Sequence, residues 1–306
     1  MKNFFATAAV CAAMTVVLAS CDNNNVVLQG PQPVKFSATV GEASATPATR
    51  AYDTAWENGD EIGIFMVGNG TSTVVDNTNN RQFKTEEGDG VFAAVAANQT
   101  IYYPTDDSEV DFIAYYPYKA GTAIDGNVSV SITTQTTPKD IDMLWAKANN
   151  SGAGYSKGSS GAVALQFSHV LSKLVMNVIP GDGLEADDLE DMSVAIRNMY
   201  TGAAFNVGTG VVNGFSNPLD FEPRQVTNGA KYDAIVLPTT YGAGEVMVQF
   251  TLDGGDVFVW NLTDTQATFA SGSQYTYDVT LNRTGVTVTG DITAWTPVVG
   301  GDVTAQ

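Results

Sequence analysis

The chain reads as an all-β protein, two stacked β-sandwiches behind an export signal, and three observations lead there. Short β-branched and aromatic runs with period-two alternation recur from Val34 to the C-terminus. Clusters such as Glu57-Asn58-Gly59-Asp60, Gly68-Asn69-Gly70 and Asp253-Gly254-Gly255-Asp256 punctuate them as turns. Helical periodicity is almost absent, with Gly183–Met192 the single short amphipathic candidate. Many short strands at such spacing indicate sandwich or barrel architecture. A chain of 306 − 20 = 286 residues after signal removal is long for one sandwich, so two are expected.

The first element is the signal. Lys2 precedes an uncharged, mostly apolar run from Phe4 to Leu18, and Leu18-Ala19-Ser20 leads directly to Cys21. This is the layout of a bacterial lipobox, in which the cysteine thiol is acylated and the bond before it cut. The apolar run of about 15 residues falls short of the ~20 that span a bilayer. Residues 1–20 are therefore expected to leave as a lipoprotein signal peptide, with Cys21 as the lipidation site, holding the chain to a membrane through acyl chains such as palmitate alone.

A polar tether with two prolines runs to Pro33. The next element, Val34–Val40, alternates strictly, with Val34, Phe36, Ala38 and Val40 on one face, which predicts a half-buried strand at a sheet edge. Gly41–Thr49 is rich in Ala, Ser and Thr, a composition that proteases reach easily, and Arg50 ends it. Further strands are expected at Ile62–Val67, Val110–Tyr116, Val128–Thr133, Val163–Phe167, Leu174–Ile179, Ala234–Leu237, Val246–Leu252, Val257–Leu262, Tyr275–Leu281 and Val286–Thr289. The Asn/Ser/Gly-rich stretch Ala148–Gly161 suggests the division into a sandwich over 51–160 and another over 161–306. The last segment, about 286–306, also carries extended pieces at Ile292–Trp295 and Val298–Val303, separated by glycines and Pro297. It reads as a detachable tail.

Composition narrows the function. Without Lys2 the chain has 13 cations against 33 anions, a charge of 13 − 33 = −20. No basic cluster offsets this, so neither nucleic acid nor an anionic membrane surface is an expected partner, and membrane contact is expected through lipid only. Cys11 leaves with the signal and Cys21 is consumed by lipid, so no thiol remains for a metal or for catalysis. His169 is the single histidine, which excludes histidine-rich zinc sites. It lies in the apolar pattern Phe167-Ser168-His169 without a nucleophile-elbow motif, and reads as a structural histidine. Asp140 with Asp142, or members of Glu185–Asp191, could form a carboxylate pair or a calcium loop. The second group lacks the alternating Asp/Asn pattern and central glycine, and solvated loop charges are the simpler reading. No enzyme activity and no cofactor are expected.

Several blocks resemble the fimbrillin family, the pilins of type V pili in Gram-negative anaerobes. They are Thr49-Arg50-Ala51 followed by the run from Trp56 to Met66; Tyr102-Tyr103-Pro104; Asp111 to Tyr118; Asp142-Met143-Leu144-Trp145-Ala146; Phe167 to Leu174; and Gly272 to Val279. The resemblance implies a lipoprotein precursor with two tandem transthyretin-like β-sandwich domains, carried through the periplasm to the outer membrane. It implies cleavage between Arg50 and Ala51 by an arginine-specific maturation protease, followed by polymerisation through strand exchange with other pilin subunits of the same or a different kind. Residues 21–50 would then be a lipid-anchored propeptide whose plug strand, 34–40, leaves for a donor from the C-terminal segment of a neighbour. The adhesion target, whether host, bacterial or glycan, is not written in the chain. From residues alone, the simpler reading is that Arg50 is an ordinary loop cation and the first strand stays for good.

The expected function is thus a structural pilin subunit serving adhesion. The alternative is a lipid-anchored surface glycan-binding protein, for which Trp56, Trp145, Trp260 and Trp295 could supply a stacking platform. Exposure of two or more of them on one face separates the two readings.

Overall fold

A computed structural model describes residues 30–41 and 55–295. In chain order the strands are β1 Phe36–Val40, β2 Glu61–Gly68, β3 Arg81–Lys84, β4 Val91–Ala94, β5 Val110–Tyr116, β6 Asn127–Ser131, β7 Leu144–Ala148, β8 Val163–His169, β9 Ser172–Pro180 and β10 Ser193–Asn206. They continue with β11 Val211–Phe221, β12 Arg224–Thr227, β13 Lys231–Val236, β14 Thr240–Tyr241, β15 Met247–Thr251, β16 Val257–Asn261, β17 Ala267–Thr268, β18 Ser273–Asn282 and β19 Gly285–Ala294. The protein is all-β, as its alternating runs predict. The helix expected over Gly183–Met192 is a single 3-10 turn, Ala186–Leu189. Left-handed backbone at Gly183 (φ 82°) and Asp191 (φ 58°) bounds it on either side.

Seven strands close on themselves in the order β1-β4-β3-β2-β5-β7-β8. Inside lies a core of Phe36, Trp56, Ile62, Ile64, Met66, Phe83, Phe92, Phe112, Tyr116, Leu144, Leu165 and Phe167. Beyond them, the sheet β11-β10-β15-β16 and the sheet β12-β13-β9-β18-β19 contribute inward side chains to a second core, among them Ile196, Phe250, Trp260, Leu174, Val279 and Leu281.

The strands β2 and β5 join the two cores. Their sequences, Glu61-Ile62-Gly63-Ile64-Phe65-Met66-Val67-Gly68 and Val110-Asp111-Phe112-Ile113-Ala114-Tyr115-Tyr116, are continuous apolar runs, not alternating ones, and nearly every residue is buried. Such runs mark strands covered on both faces. Ile64 and Phe112 point into the ring, while Phe65, Val67, Ile113 and Tyr115 belong to the second core. Two strands also cross the residue-160 position at which composition suggests a division. β8, beyond it, pairs with β1 and β7, whereas β6, before it, pairs with β10. Contacts from Pro31 onward accordingly form one compact unit.

Candidate functional site: a strand held between two others

The turn Glu57-Asn58-Gly59-Asp60 fixes the floor of the site. Gly59 takes φ 91°, the Glu57 amide donates to Asp60 Oδ2 at 2.8 Å, and the Asp60 amide donates to the Glu57 carbonyl at 3.1 Å. The turn brings Trp56 into the ring, where its indole meets Phe92, Phe167 and Tyr116 edge-on at 5.0, 5.2 and 5.6 Å. The Tyr116 hydroxyl donates to Asp60 Oδ1 at 3.2 Å. Burial raises the Asp60 carboxyl above its ordinary range and pushes the Tyr116 phenol well up, so Tyr116 remains a donor at neutral pH.

Over this floor lies β1. Val34, Phe36, Ala38 and Val40 are 5, 2, 5 and 4% exposed. Phe36 stands edge-on to Phe83 and Phe112, each at 5.1 Å. The strand is not at an edge, where alternation alone puts it. It runs antiparallel to β4 (Phe36 opposite Phe92, Ser37 opposite Val91) and parallel to β8 (Phe36 opposite Val163, through Val40 opposite Phe167). Period-two burial reports which face is covered and says nothing about how many neighbours a strand has, hence the difference.

The backbone of β1 is gripped at both of its polar edges. The Val34 amide donates to the Ile101 carbonyl at 2.9 Å, the Val163 amide to the Lys35 carbonyl at 2.8 Å, and the Gly41 amide to the Phe167 carbonyl at 2.8 Å. At the centre, the Ala38 amide donates to the Gly90 carbonyl at 2.7 Å and the Ala38 carbonyl accepts from Trp56 Nε1 at 3.0 Å. Gly90, with φ 80°, makes this approach possible: a Cβ there would stand 2.3 Å from the Ala38 oxygen. Burying Val34, Phe36 and Val40 at roughly 1.5–3 kcal/mol each contributes on the order of 5–9 kcal/mol. Compact unfolded chains make that an upper bound.

Cys21, Arg50 and Ala51 lie outside the described residues, as does Val298–Val303. The described part of the C-terminal segment is one continuous strand, β19, paired in full register with β18 from Ser273 opposite Ala294 to Asn282 opposite Gly285. Gly290 and Asp291 do not interrupt it. Trp295, just past its end, is 3% exposed and lies flat on the His169 ring, centroids 3.9 Å apart and planes 7° off parallel.

Of the chemical candidates, the structure brings His169 and Asp142 together. His169 is buried, with Nδ1 within 2.9 Å of an Asp142 carboxylate oxygen, whereas Asp140 is exposed. His169 therefore sits in packing, its ring flat against Trp295 and its Nδ1 against Asp142. In the acidic stretch, the Glu185 amide donates to Asp188 Oδ2 at 2.8 Å, a turn cap. Among the described residues no His/Cys/Asp/Glu group has metal-holding geometry. Trp56, Trp260 and Trp295 are buried, and half-buried Trp145 donates its Nε1–H to the Val207 carbonyl at 2.8 Å. No pair of tryptophans forms an open stacking face.

A model of the family described as fimbrillin-like matches residues 49–295. A Bacteroides uniformis protein named as fimbrium subunit Fim1C is 37% identical over 98% of both chains. A solved structure from Bacteroides uniformis, described as a cell adhesion protein, superposes with TM-score 0.72 at 33% identity, covering 86% of this chain and 98% of the other. The tip fimbrial protein Mfa3 of Porphyromonas gingivalis, solved with a C-terminal truncation, has TM-score 0.56 at 12% identity over 86% of this chain and all of that one, a likeness of fold.

Proposed function

Because the chain belongs to the fimbrillin-like family, we propose that it is a structural subunit of a cell-surface pilus serving adhesion, polymerised by exchange of β1 for a strand of another subunit. The observation that carries this reading is β1 itself. It is short, precedes Arg50 in the chain, fills an aromatic slot, and is flanked on both sides by strands that would be left with open hydrogen-bonding edges. Removing it leaves two templates and one apolar groove, into which a strand of matching alternation can pair.

In this reading Cys21 carries the acyl chains, residues 21–50 travel as a propeptide, and an arginine-specific protease cuts between Arg50 and Ala51. The cut releases β1 from its covalent tie to the ring, and tethering of the incoming strand to a growing fibre offsets the slot's preference for β1. The subunit's partners are then other pilin subunits, and its two β-sandwich regions are the rigid unit of the fibre. The role is mechanical and no catalysis is assigned to it. Three buried tryptophans and a half-buried fourth, Trp145, offer no open stacking face for the glycan-platform alternative.

The test treats purified precursor with an arginine-specific protease and follows size by electrophoresis without boiling. Wild type is expected to convert from monomer to a ladder, and Arg50→Ala to stay monomeric. Equal polymerisation of Arg50→Ala overturns proteolytic control. Independently, Cys21→Ser is expected to abolish incorporation of labelled fatty acid, and unchanged labelling overturns the lipid assignment.

A further inference from the structure

We infer that the open edge of β16 is a contact between two copies of this chain, which pair antiparallel about a two-fold axis at Val259. This contact is separate from strand exchange, since it lies on a sheet of the second core and leaves the β1 slot untouched.

β16 ends the sheet β11-β10-β15-β16, and among the described residues it pairs with β15 alone. The hairpin fixes which of its polar groups are already engaged. The Leu252 amide donates to the Asp256 carbonyl at 2.9 Å, and the ladder continues with Phe258 opposite Phe250 and Trp260 opposite Val248. Hydrogen-bonded pairs alternate along an antiparallel ladder, so Phe258 and Trp260 bond to β15. The N–H and C=O groups of Val257, Val259 and Asn261 therefore point out from the edge. On the outer face Val257 and Val259 are 54 and 51% exposed, opposite Thr251 and Gln249 of β15.

The other open edges of these two sheets are blunted. β11 carries Pro218 and Asp220, β12 is four residues long and begins at the ion-paired Arg224, and β19 carries Gly290 and Asp291. β16 reads Val257-Phe258-Val259-Trp260-Asn261, with no charge, proline or glycine. In a chain with 33 acidic residues, it offers an uncharged, β-branched edge suited to a strand of its own kind.

A second β16 fits this edge in one register. Centred on Val259, Val257 faces Asn261 of the second copy and Phe258 faces Trp260, so every outward N–H and C=O of both strands is paired. Moving the centre by one residue shortens the overlap. The same register keeps carboxylates apart: Asp256 falls opposite Leu262, Asp253 opposite Thr265, and Asp264 opposite Gly254. Asp256 is also neutralised within its own chain by Arg283 Nη1 at 2.9 Å. A like-charged copy is thereby admitted. A five-residue strand pair buries less than the roughly 1,200 Å² of a standard interface, so two precursors part in detergent and run as monomers on a gel. In a fibre the edge repeats, and many weak contacts would align fibres side by side. Only that extension rests on the pilin reading.

The experiment uses the uncut full chain with Cys11→Ser and Cys21→Ser, in which an introduced cysteine is the sole thiol. Val259→Cys is expected to give a disulfide-linked dimer on mild oxidation, because a hydrogen-bonded antiparallel pair sets its Cα atoms about 5.5 Å apart. Two copies of Val257→Cys lie about 13 Å apart along the paired strands, and are expected to link at least about tenfold less. Sedimentation of the cysteine-free chain should show a monomer–dimer equilibrium that tightens with added salt, which screens the repulsion between two acidic copies. Val259→Lys sets two cations opposite each other at an exposed position. It should leave the melting temperature unchanged and weaken the dimer at least about tenfold. Equal linking of the two cysteine variants, or a dimer indifferent to Val259→Lys, overturns the β16 assignment. So does a chain that stays monomeric at about 1 mM and gives no Val259→Cys link. A β16 dimer that fails to ladder after the Arg50 cut keeps this contact and overturns strand exchange, and a ladder without the dimer does the reverse.

Discussion

β1 and β19 are strands of similar amino-acid pattern held in opposite ways. β1 has a neighbour on each side, four buried residues on one face, and aromatic rings packed edge-on around Phe36. Among the described residues β19 pairs with one strand and has only half-buried valines, and it is fastened at its far end by Trp295 on His169. The difference shows that alternation sets which face of a strand can be buried, while the number of neighbours sets how strongly it is retained.

The sharpest way to break the comparison is to truncate one inward side chain in each strand. Phe36→Ala removes a ring from a closed aromatic core and is expected to cost about 3–5 kcal/mol. Ile292→Ala, at a 63% exposed position, should stay within about 0.5 kcal/mol. Urea unfolding of the uncut precursor measures both. Comparable losses would mean that β19 is packed as firmly as β1 despite its exposed face.

A smaller effect is expected at the fastening point. His169→Gln removes the ring beneath Trp295 and disturbs the Asp142 hydrogen bond, and should cost about 1–3 kcal/mol. The informative readout is where the loss appears. Amide exchange is expected to speed up along β18 and β19 and to leave β1 unchanged. Uniform loss of protection would make His169 a general core residue without a special link to the C-terminal strand.

Much of this contrast was legible in the sequence. Val34–Val40, Ile62–Val67, Val110–Tyr116, Val163–Phe167 and Tyr275–Leu281 announce themselves through β-branched and aromatic runs, and each lies within or overlaps an observed strand. The slot's walls were less readable. β4 is only Val91-Phe92-Ala93-Ala94, too short and too small-residued to stand out, and Gly90 looks like any turn glycine until the Ala38 carbonyl is placed against it. β10, the longest strand, was hidden by its own irregularities: Asn198 at φ 58° and register shifts near Met199 and Ala204 break the period. The stacking of Trp295 on His169 joins residues from two separate strands, and no local pattern encodes such a pairing.

The finest test makes one substitution in both regions. Trp56 and Trp295 are both buried, at 7 and 3% exposure, and both sit against aromatic rings. They differ in their polar atom. Trp56 Nε1 donates to the Ala38 carbonyl of β1 at 3.0 Å, while Trp295 Nε1 has no hydrogen-bond partner among the described residues. Trp56→Phe and Trp295→Phe remove the same volume, so the packing losses largely cancel when one is subtracted from the other. What remains is the hydrogen bond to β1, together with the buried carbonyl it would leave without its indole donor. The Trp56 variant is accordingly expected to be the less stable of the two by about 1 kcal/mol, measured as the difference in unfolding free energy on the uncut precursor. In precursor cut at Arg50, the same variant should release the 34–40 segment faster, which gel filtration after the cut would register. An equal cost in the two variants would mean that the indole of Trp56 serves the core alone and takes no part in gripping the strand above it.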